Sequence, residues 1–428
     1  MTTSRSAKAQ AARTKKKKAL LRRLTTLVLF AVCAGILWMG AAWMMDRFMS
    51  AERAQPVSTS PHDDEATSGT DSVAEQEETG EATGENDSPD GTPDHTTQDE
   101  PGMDIADSGQ TVSLAFVGDV LLGSTVARLL EDHGYAYPYQ HIKEQLLTPD
   151  VTLANLETPI TDRGEPADKQ YAYRSAPQVL PAFKEAGFDV VNLANNHILD
   201  YGEVGLLDTL QHLDDAGISY VGAGKNGQDA HTPIYLEHNG IRIAVLGYSH
   251  VVPTVDWKAR DMSEREPTGH AGVASTYDYT RPVQSIERAS ERADLVIVLA
   301  HWGEEREELP EDAQVDLAHR YIDAGADLVV GSHPHVLQSM ESYKGKWIAY
   351  SLGNFIFTTN DNPKTWDSII LEATCTQAGE CELRVTPVLT KAAQPVVMEA
   401  AAADKLLERL GELSEGVQVS PDGRLEAK

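Results

Sequence analysis

The chain is poor in cysteine and in positive charge, and one long stretch of it has no aromatic residues. There are three cysteines among 428 residues. Cys33 lies in an apolar segment and reads as a small packing residue. Cys375 and Cys381 bracket the polar segment TQAGE; in an oxidising compartment they could close a small loop, and otherwise they are two free thiols. Lys and Arg total 36 against 66 Asp and Glu, a formal net charge of −30. The folded part therefore lacks the basic face that a nucleic-acid partner requires. No Gly-x-Ser-x-Gly elbow and no internal repeat is present. Gly222 to Gly227 matches the spacing of a dinucleotide loop, but Pro233 and a strand follow it, with no phosphate-cradling helix expected, which argues against a nicotinamide or flavin site.

From about residue 51 to residue 110, aromatics are absent and Arg53 is the only Lys or Arg. Asp, Glu, Ser, Thr, Gly and Pro dominate. Such a segment cannot bury enough surface to offset its chain entropy, so disorder is expected. About 60 residues of coil reach on the order of 45 Å. Ahead of it, Arg13, Lys15 to Lys18, Arg22 and Arg23 precede an uncharged stretch from Leu24 to Met45. That length matches the roughly 20 residues needed to cross a bilayer. The basic cluster puts the N-terminus in the cytoplasm. A cleaved signal peptide is the competing reading, but the apolar core is long for one and no clear A-x-A site follows. The expected organisation is a basic cytoplasmic segment (1–23), a transmembrane helix (24–45) and an acidic linker (46–110). A folded extracellular domain (111–413) and a flexible tail (414–428) follow.

Within the folded part the hydrophobic content is enough for a sizeable core, and apolar β-rich runs alternate with amphipathic stretches. Gln178 to Ala186, Val204 to Ala216 and Asp312 to Ala324 read as helices, each followed by a glycine. Strands separated by helices imply βαβ units and a largely parallel sheet. Ile234–Glu237 and Ile241–Gly247 flank a turn at His238-Asn239-Gly240, as expected of a hairpin. Val336–Ser342 with Lys346–Ser351, and Ser368–Thr374 with Cys381–Pro387, read as further pairs. The sheet is therefore expected to be mixed. Met398–Leu413 reads as a helix.

Five apolar runs end in residues able to bind a metal. SLAFVG runs into Asp119, VTLANL into Glu157, and VVNLAN into Asn196 and His197. LVIVLA ends at His301, and LVVGS at His333 and His335. Ligands in open α/β sheets collect outside the carboxyl ends of parallel strands, so the five endings point to one site. Divalent metals used for hydrolysis accept oxygen and imidazole ligands together. In an extended segment His333 and His335 would face one centre, with Pro334 stiffening the pair. Asp200 either orients the His197 imidazole or caps a helix start. Arg174 either holds an anionic substrate group or forms a surface salt bridge.

Six segments in this order resemble the CapA-type poly-γ-glutamate capsule biosynthesis proteins. They are Gly118-Asp119-Val120, Asn155-Leu156-Glu157-Thr158, Asn195-Asn196-His197, His301-Trp302-Gly303, Ser332-His333-Pro334-His335 and Tyr350-Ser351-Leu352-Gly353-Asn354-Phe355. The resemblance covers roughly Val112 to Pro387. It implies a fold similar to calcineurin-like metallophosphoesterases, an α/β (α+β) arrangement of two mixed β-sheets sandwiched by helices. It also implies Asp119, Glu157, Asn196, His301, His333 and His335 as metal ligands. His197 is implied as the general acid supported by Asp200, and Asn354 as a residue beside the site. The chain departs from the wider phosphoesterase pattern in two places. Val120 and Leu121 follow Asp119 where Asp-x-His is usual, and Asn155 and Glu157 stand where Gly-Asp-x-x-Asp is usual.

The expected function is that of a membrane-anchored extracellular protein in synthesis, export or surface handling of an anionic polymer such as poly-γ-glutamate. One or two Mn, Fe or Zn ions would assist attack on an ester or amide-type centre. Membrane synthase subunits are candidate partners. A non-catalytic scaffold for polymer or synthase, and a surface phosphoesterase unrelated to capsule, are the alternatives.

Overall fold

A computed structural model describes residues 109–428. The expected basic segment, the expected membrane span and the expected linker up to residue 108 lie outside the described residues. No helix among the described residues is long and apolar enough to cross a membrane.

The apolar runs form strands of two sheets. The first sheet opens with β1 (Thr111–Val120), β2 (Val151–Leu156), β3 (Val190–Asn192) and β4 (Ser219–Val221), all parallel. The chain then builds the second sheet from β5 (Ile234–His238), β6 (Ile241–Ser249), β7 (Leu295–His301), β8 (Leu328–Ser332), β9 (Met340–Tyr343) and β10 (Lys346–Ala349). It returns to the first sheet with β11 (Asn354–Ile356), β12 (Asp367–Thr376), β13 (Cys381–Lys391) and β14 (Gln394–Val397). The first sheet is ordered β14-β13-β12-β1-β2-β3-β4, with β11 pairing the end of β1. The second is ordered β9-β10-β8-β7-β6-β5. Both are mixed: β12 runs antiparallel to β1, and β5 and β9 are antiparallel edges of the second sheet.

Side-chain alternation explains why the central strands read as unbroken apolar runs. Leu114 and Phe116 on β1 meet Ile243, Val245, Ile297 and Leu328 of the facing sheet. Ala115 and Val117 point the other way, to α1 (Ser124–His133), α2 (Leu180–Glu185) and α3 (Gly202–Ala216), through Val126, Phe183 and Leu206. On the far side, α4 (Thr280–Ser290) and α5 (Asp312–Asp323) cover the second sheet through Ile286, Leu317 and Tyr321. Strands covered on both faces need apolar residues at every position. Each buried Leu or Phe contributes roughly 1.5–3 kcal/mol. Two mixed sheets between helix layers is the architecture the resemblance implies. α6 (Ala400–Leu413) closes one border of the inter-sheet core with Leu406 and Leu410.

Local expectations hold at several points. Asn239 and Gly240 have φ of 52° and 76°, as a two-residue hairpin turn requires. Cys375 and Cys381 lie opposite each other in β12 and β13 and are bridged. Two details differ. A short helix, Gly227–Ala230, does open after the glycine-rich loop, capped by the Asn226 side chain. The expected flexible tail 414–428 contains a hairpin of Val417–Val419 with Leu425–Ala427. Val417 and Leu425 are buried in the inter-sheet core. Two anchors spaced so widely leave no periodic signal in the sequence.

Candidate metal centre

The strand register gathers polar residues at one edge. In the first sheet Asp119 lies opposite Asn155 and Asn354, and Asn155 lies opposite Asn192. In the second, Ser249, His301 and Ser332 align. These are the carboxyl ends of the parallel strands in both sheets. The rows meet where Asn155 Nδ2 lies 3.3 Å from His301 Nδ1. The ladder of β1 is irregular on both sides of Asp119, a bulge of the kind that re-aims a side chain. Gly118 permits this, because a Cβ there would sit 1.8 Å from the Gly353 carbonyl oxygen. That oxygen accepts the Asp119 N–H at 3.0 Å. The Gly-Asp and Gly-Asn segments thus lock together in a backbone approach that only glycine allows.

Two trios of ligand atoms result. Glu157, His301 and His333 converge, as do Asp119, Glu157 and His335, with all atoms of a trio within 4.8 Å of one another. Glu157 belongs to both. His301 Nε2 also lies 3.0 Å from Asn196 Oδ1. On the other ring edge its Nδ1 lies 3.2 Å from Ser332 Oγ, which can take the Nδ1 proton and leave Nε2 as the ligand atom. All six residues expected as ligands are therefore brought to one edge.

The His-Pro-His expectation is corrected in one respect. His333 and His335 have φ of 100° and 59°, so the segment is a left-handed turn rather than an extended one. Non-glycine residues in this region cost on the order of 1–3 kcal/mol, and such strain collects at functional sites. The turn sends His333 to one trio and His335 to the other. The two rings therefore face two adjoining centres.

Burial acts oppositely on the two ligand types. It lowers His301 well below the usual imidazole value and pushes His333 down to about 3. It raises Glu157 well above the usual carboxylate range, with the Asp119 carboxylate adding to the rise. Burial also pulls His335 down, but its hydrogen bond to Asp119 (3.0 Å) and that residue's charge outweigh it, so the net shift is upward. Two buried atoms, Glu157 Oε1 and His333 Nδ1, have no hydrogen-bond partner. An unmade partnership of this kind costs about 1–3 kcal/mol each. Both residues belong to the trio that His301 completes, and a cation coordinated by these two atoms would satisfy both. The donor set of carboxylate and neutral imidazole suits a divalent transition metal.

Beside the trios stands His197. Its Nδ1 donates to Asp200 Oδ2 at 2.6 Å, which leaves Nε2 free. Asp200 is fully buried and also accepts from Lys169 Nζ and from the Tyr173 N–H, each at 2.7 Å. Asp200 therefore orients the imidazole and does not cap α3, which begins after Tyr201 with no side-chain cap. Lys169 Nζ donates as well to the Asn196 carbonyl at 2.6 Å, tying the Asn196 backbone to the His197–Asp200 pair. Burial lowers the His197 pKa.

Asn354 braces His335: its Oδ1 lies 3.0 Å from His335 Nδ1, and its Nδ2 donates to the Thr365 carbonyl. Arg174 is exposed, lies over the Tyr201 ring at 4.6 Å and donates to the Asp162 carbonyl. Its partners here are a ring and a carbonyl, and among the described residues it forms no ion pair. Sequence reasoning missed Asn192 and Lys169 and did not foresee that Asn155 Nδ2 donates to Asp119 Oδ1 at 2.9 Å. Asn155 and Asn192 interrupt apolar runs, a signal that could have flagged them. Lys169 sits in an irregular loop and offers none.

The sequence model of the bacterial capsule synthesis protein PGA_cap matches residues 113–359, more than half of the chain. A capsule biosynthesis protein CapA of Bacillus anthracis is 34% identical over 296 residues, covering 68% of this chain and 71% of that protein. A PGA biosynthesis protein CapA of Bacillus subtilis is 34% identical over 291 residues, covering 67% and 74%. A probable polyglutamine synthesis accessory protein of Mycobacterium tuberculosis is 38% identical over 213 residues, covering 48% of this chain and 55% of that protein. On the matched span and these identities, the chain belongs to the bacterial capsule synthesis protein PGA_cap family.

Proposed function

We propose that this protein is a membrane-anchored, outward-facing, metal-dependent hydrolase-type component of poly-γ-glutamate synthesis or export. The observation that carries the chemistry is the pair of buried, unpartnered ligand atoms, Glu157 Oε1 and His333 Nδ1, inside a convergent trio. The polymer comes from the names of the CapA relatives. The uncharged stretch 24–45 and the bridged Cys375–Cys381 pair support a location outside the membrane, in an oxidising compartment.

A divalent ion bound here supplies Lewis-acid activation of water and of the scissile carbonyl or phosphoryl group. Glu157, His301 and His333 would hold one ion, with Asn196 beside them, and Asp119, Glu157 and His335 a second. His197 presents Nε2 towards the leaving group, while Asp200 fixes its tautomer and stabilises its protonated form. Lys169 holds Asp200 in place through a contact of 2.7 Å. Membrane synthase subunits are proposed partners.

The test is metal analysis of the purified full chain, followed by a metal-supplemented panel of oligo-γ-glutamate and phosphate esters. Stoichiometric Mn, Fe or Zn, lost in His301→Ala, is the expected result. Absence of bound metal at every supplement would sink the hydrolase reading. Turnover of phosphate esters alone would move the protein to a capsule-independent phosphoesterase. One observation favours a second reading, a polymer- or synthase-binding scaffold. Val120 and Leu121 follow Asp119 where the wider phosphoesterase pattern has a histidine, and the Asn155 amide donates to the Asp119 carboxylate. In that case His197→Ala leaves polymer production intact.

A further inference from the structure

Away from the metal centre, a cavity of about 480 Å³ opens between α4, the edge strand β5 and the loop at Asp261. Its distinctive feature is a row of arginines in a chain whose net charge is −30. Arg281, Arg288 and Arg292 line it, with Ser285 between the first two. The intervals are four, three and four residues, so all four positions lie on one face of α4 and the turn that continues it. At 1.5 Å per residue the row extends about 16 Å.

The three guanidinium groups are not equivalent. Arg281 is tied to Asp261 by two hydrogen bonds, of 2.7 and 3.0 Å, and forms a fixed wall. Arg288 donates one hydrogen bond, to Ser285 Oγ at 3.1 Å, and is exposed. Among the described residues neither Arg288 nor Arg292 forms an ion pair, whereas Arg163, Arg260, Arg320 and Arg409 each hold a carboxylate. Two planar forks therefore stand open at the mouth of a cavity. A guanidinium fork matches a carboxylate in two-point geometry.

We propose that this row is a second polymer contact, a subsite that binds consecutive carboxylates of a linear polyanion outside the metal centre. The assignment rests on the proposed role in poly-γ-glutamate handling. An extended row of forks suits repeated charges along a chain, where a single phosphate would occupy one point. An acidic protein also repels its polymer at most of its surface, and such a row gives the chain a local place to dock.

The experiment measures binding of a fluorescent γ-linked oligoglutamate to the full chain by anisotropy, at low and at high salt, with chelator present. Chelation removes the metal centre from the readout. The expected result is roughly tenfold weaker binding for the Arg288→Ala/Arg292→Ala double variant. A shallower salt dependence should accompany it, and the Arg→Lys pair should restore the salt dependence but only part of the affinity. Equal binding by wild type and double variant overturns the subsite and leaves the function reading intact. No binding by wild type at either salt likewise overturns the subsite, while the function reading is decided by the metal analysis and substrate panel. Tighter binding of phosphatidylglycerol vesicles than of oligoglutamate, lost in the same variant, overturns the carboxylate assignment in favour of a lipid surface.

Discussion

The two sheets contribute different chemistry to one edge. The first supplies carboxylates and amides: Asp119, Asn155, Glu157, Asn192 and Asn354. The second supplies imidazoles and hydroxyls: His301, Ser332 and, just past β8, His333 and His335. Burial drives each kind towards its neutral form, raising Glu157 and lowering His301 and His333. Neither sheet offers a cation its full ligand set. Each trio takes members from both sides of the sandwich, so the site exists only when the sheets pack.

The most direct way to break this comparison is Glu157→Gln, because Glu157 alone serves both trios. Metal affinity should fall by more than about a hundredfold, since even supporting partners of ligands are worth 10–100-fold. Calorimetric titration with Zn or Mn checks it, and His333→Ala and His335→Ala should each weaken one class of site only. Retention of both sites by Glu157→Gln would end the shared-ligand account.

The second effect is the acid response of the metal-free protein. The unfolded His333 takes up a proton near 6.5, while the folded one does so only near 3. Between those values the unfolded state binds more protons, so this residue makes stability fall as pH falls. The slope is up to about 1.4 kcal/mol per pH unit for one proton. Glu157 acts in the opposite sense above its ordinary carboxylate value, because its folded pKa is raised. Denaturant melts from pH 7 to pH 3 should show a flatter acid limb for His333→Asn than for wild type. Parallel limbs would mean that His333 is not buried neutral.

Lys169→Met should come third. Removing a charged donor from the buried Asp200 costs about 1.5–3 kcal/mol, and it frees the Asn196 carbonyl. Proton NMR of the His197 ring should report the loosened Asp200 contact. The smallest effect is expected from Cys375→Ser with Cys381→Ser, at about 2 kcal/mol for so short a loop. Metal titration of that variant should match wild type, because the bridge joins first-sheet strands away from the ligand edge. A change in metal affinity there would show the sheets to be more tightly coupled than this comparison allows.

Much of the fold was legible in the sequence. The hairpin at Asn239-Gly240, the helix stops at Gly187, Gly217 and Gly325 and the mixed character of the sheets come from signals within a few residues, whereas the strand order does not. The terminal hairpin was missed because its two apolar anchors, Val417 and Leu425, form no period. The His333–His335 turn was misjudged because spacing alone suggested an extended segment, and tertiary packing imposes the left-handed backbone.

By itself the sequence determined which residue types end the strands, and so that carboxylate, amide and imidazole would meet at one sheet edge. Those are local properties, set by apolar runs and the polar residues that terminate them. Only the tertiary structure decided that His333 and His335 serve different trios, that Glu157 is shared, and that Lys169 steadies Asp200. The contacts responsible join residues far apart in the chain, 216 positions for His335 with Asp119 and 146 for Asn155 with His301. No local pattern encodes a pairing at that distance, which is fixed by how the two sheets pack against each other.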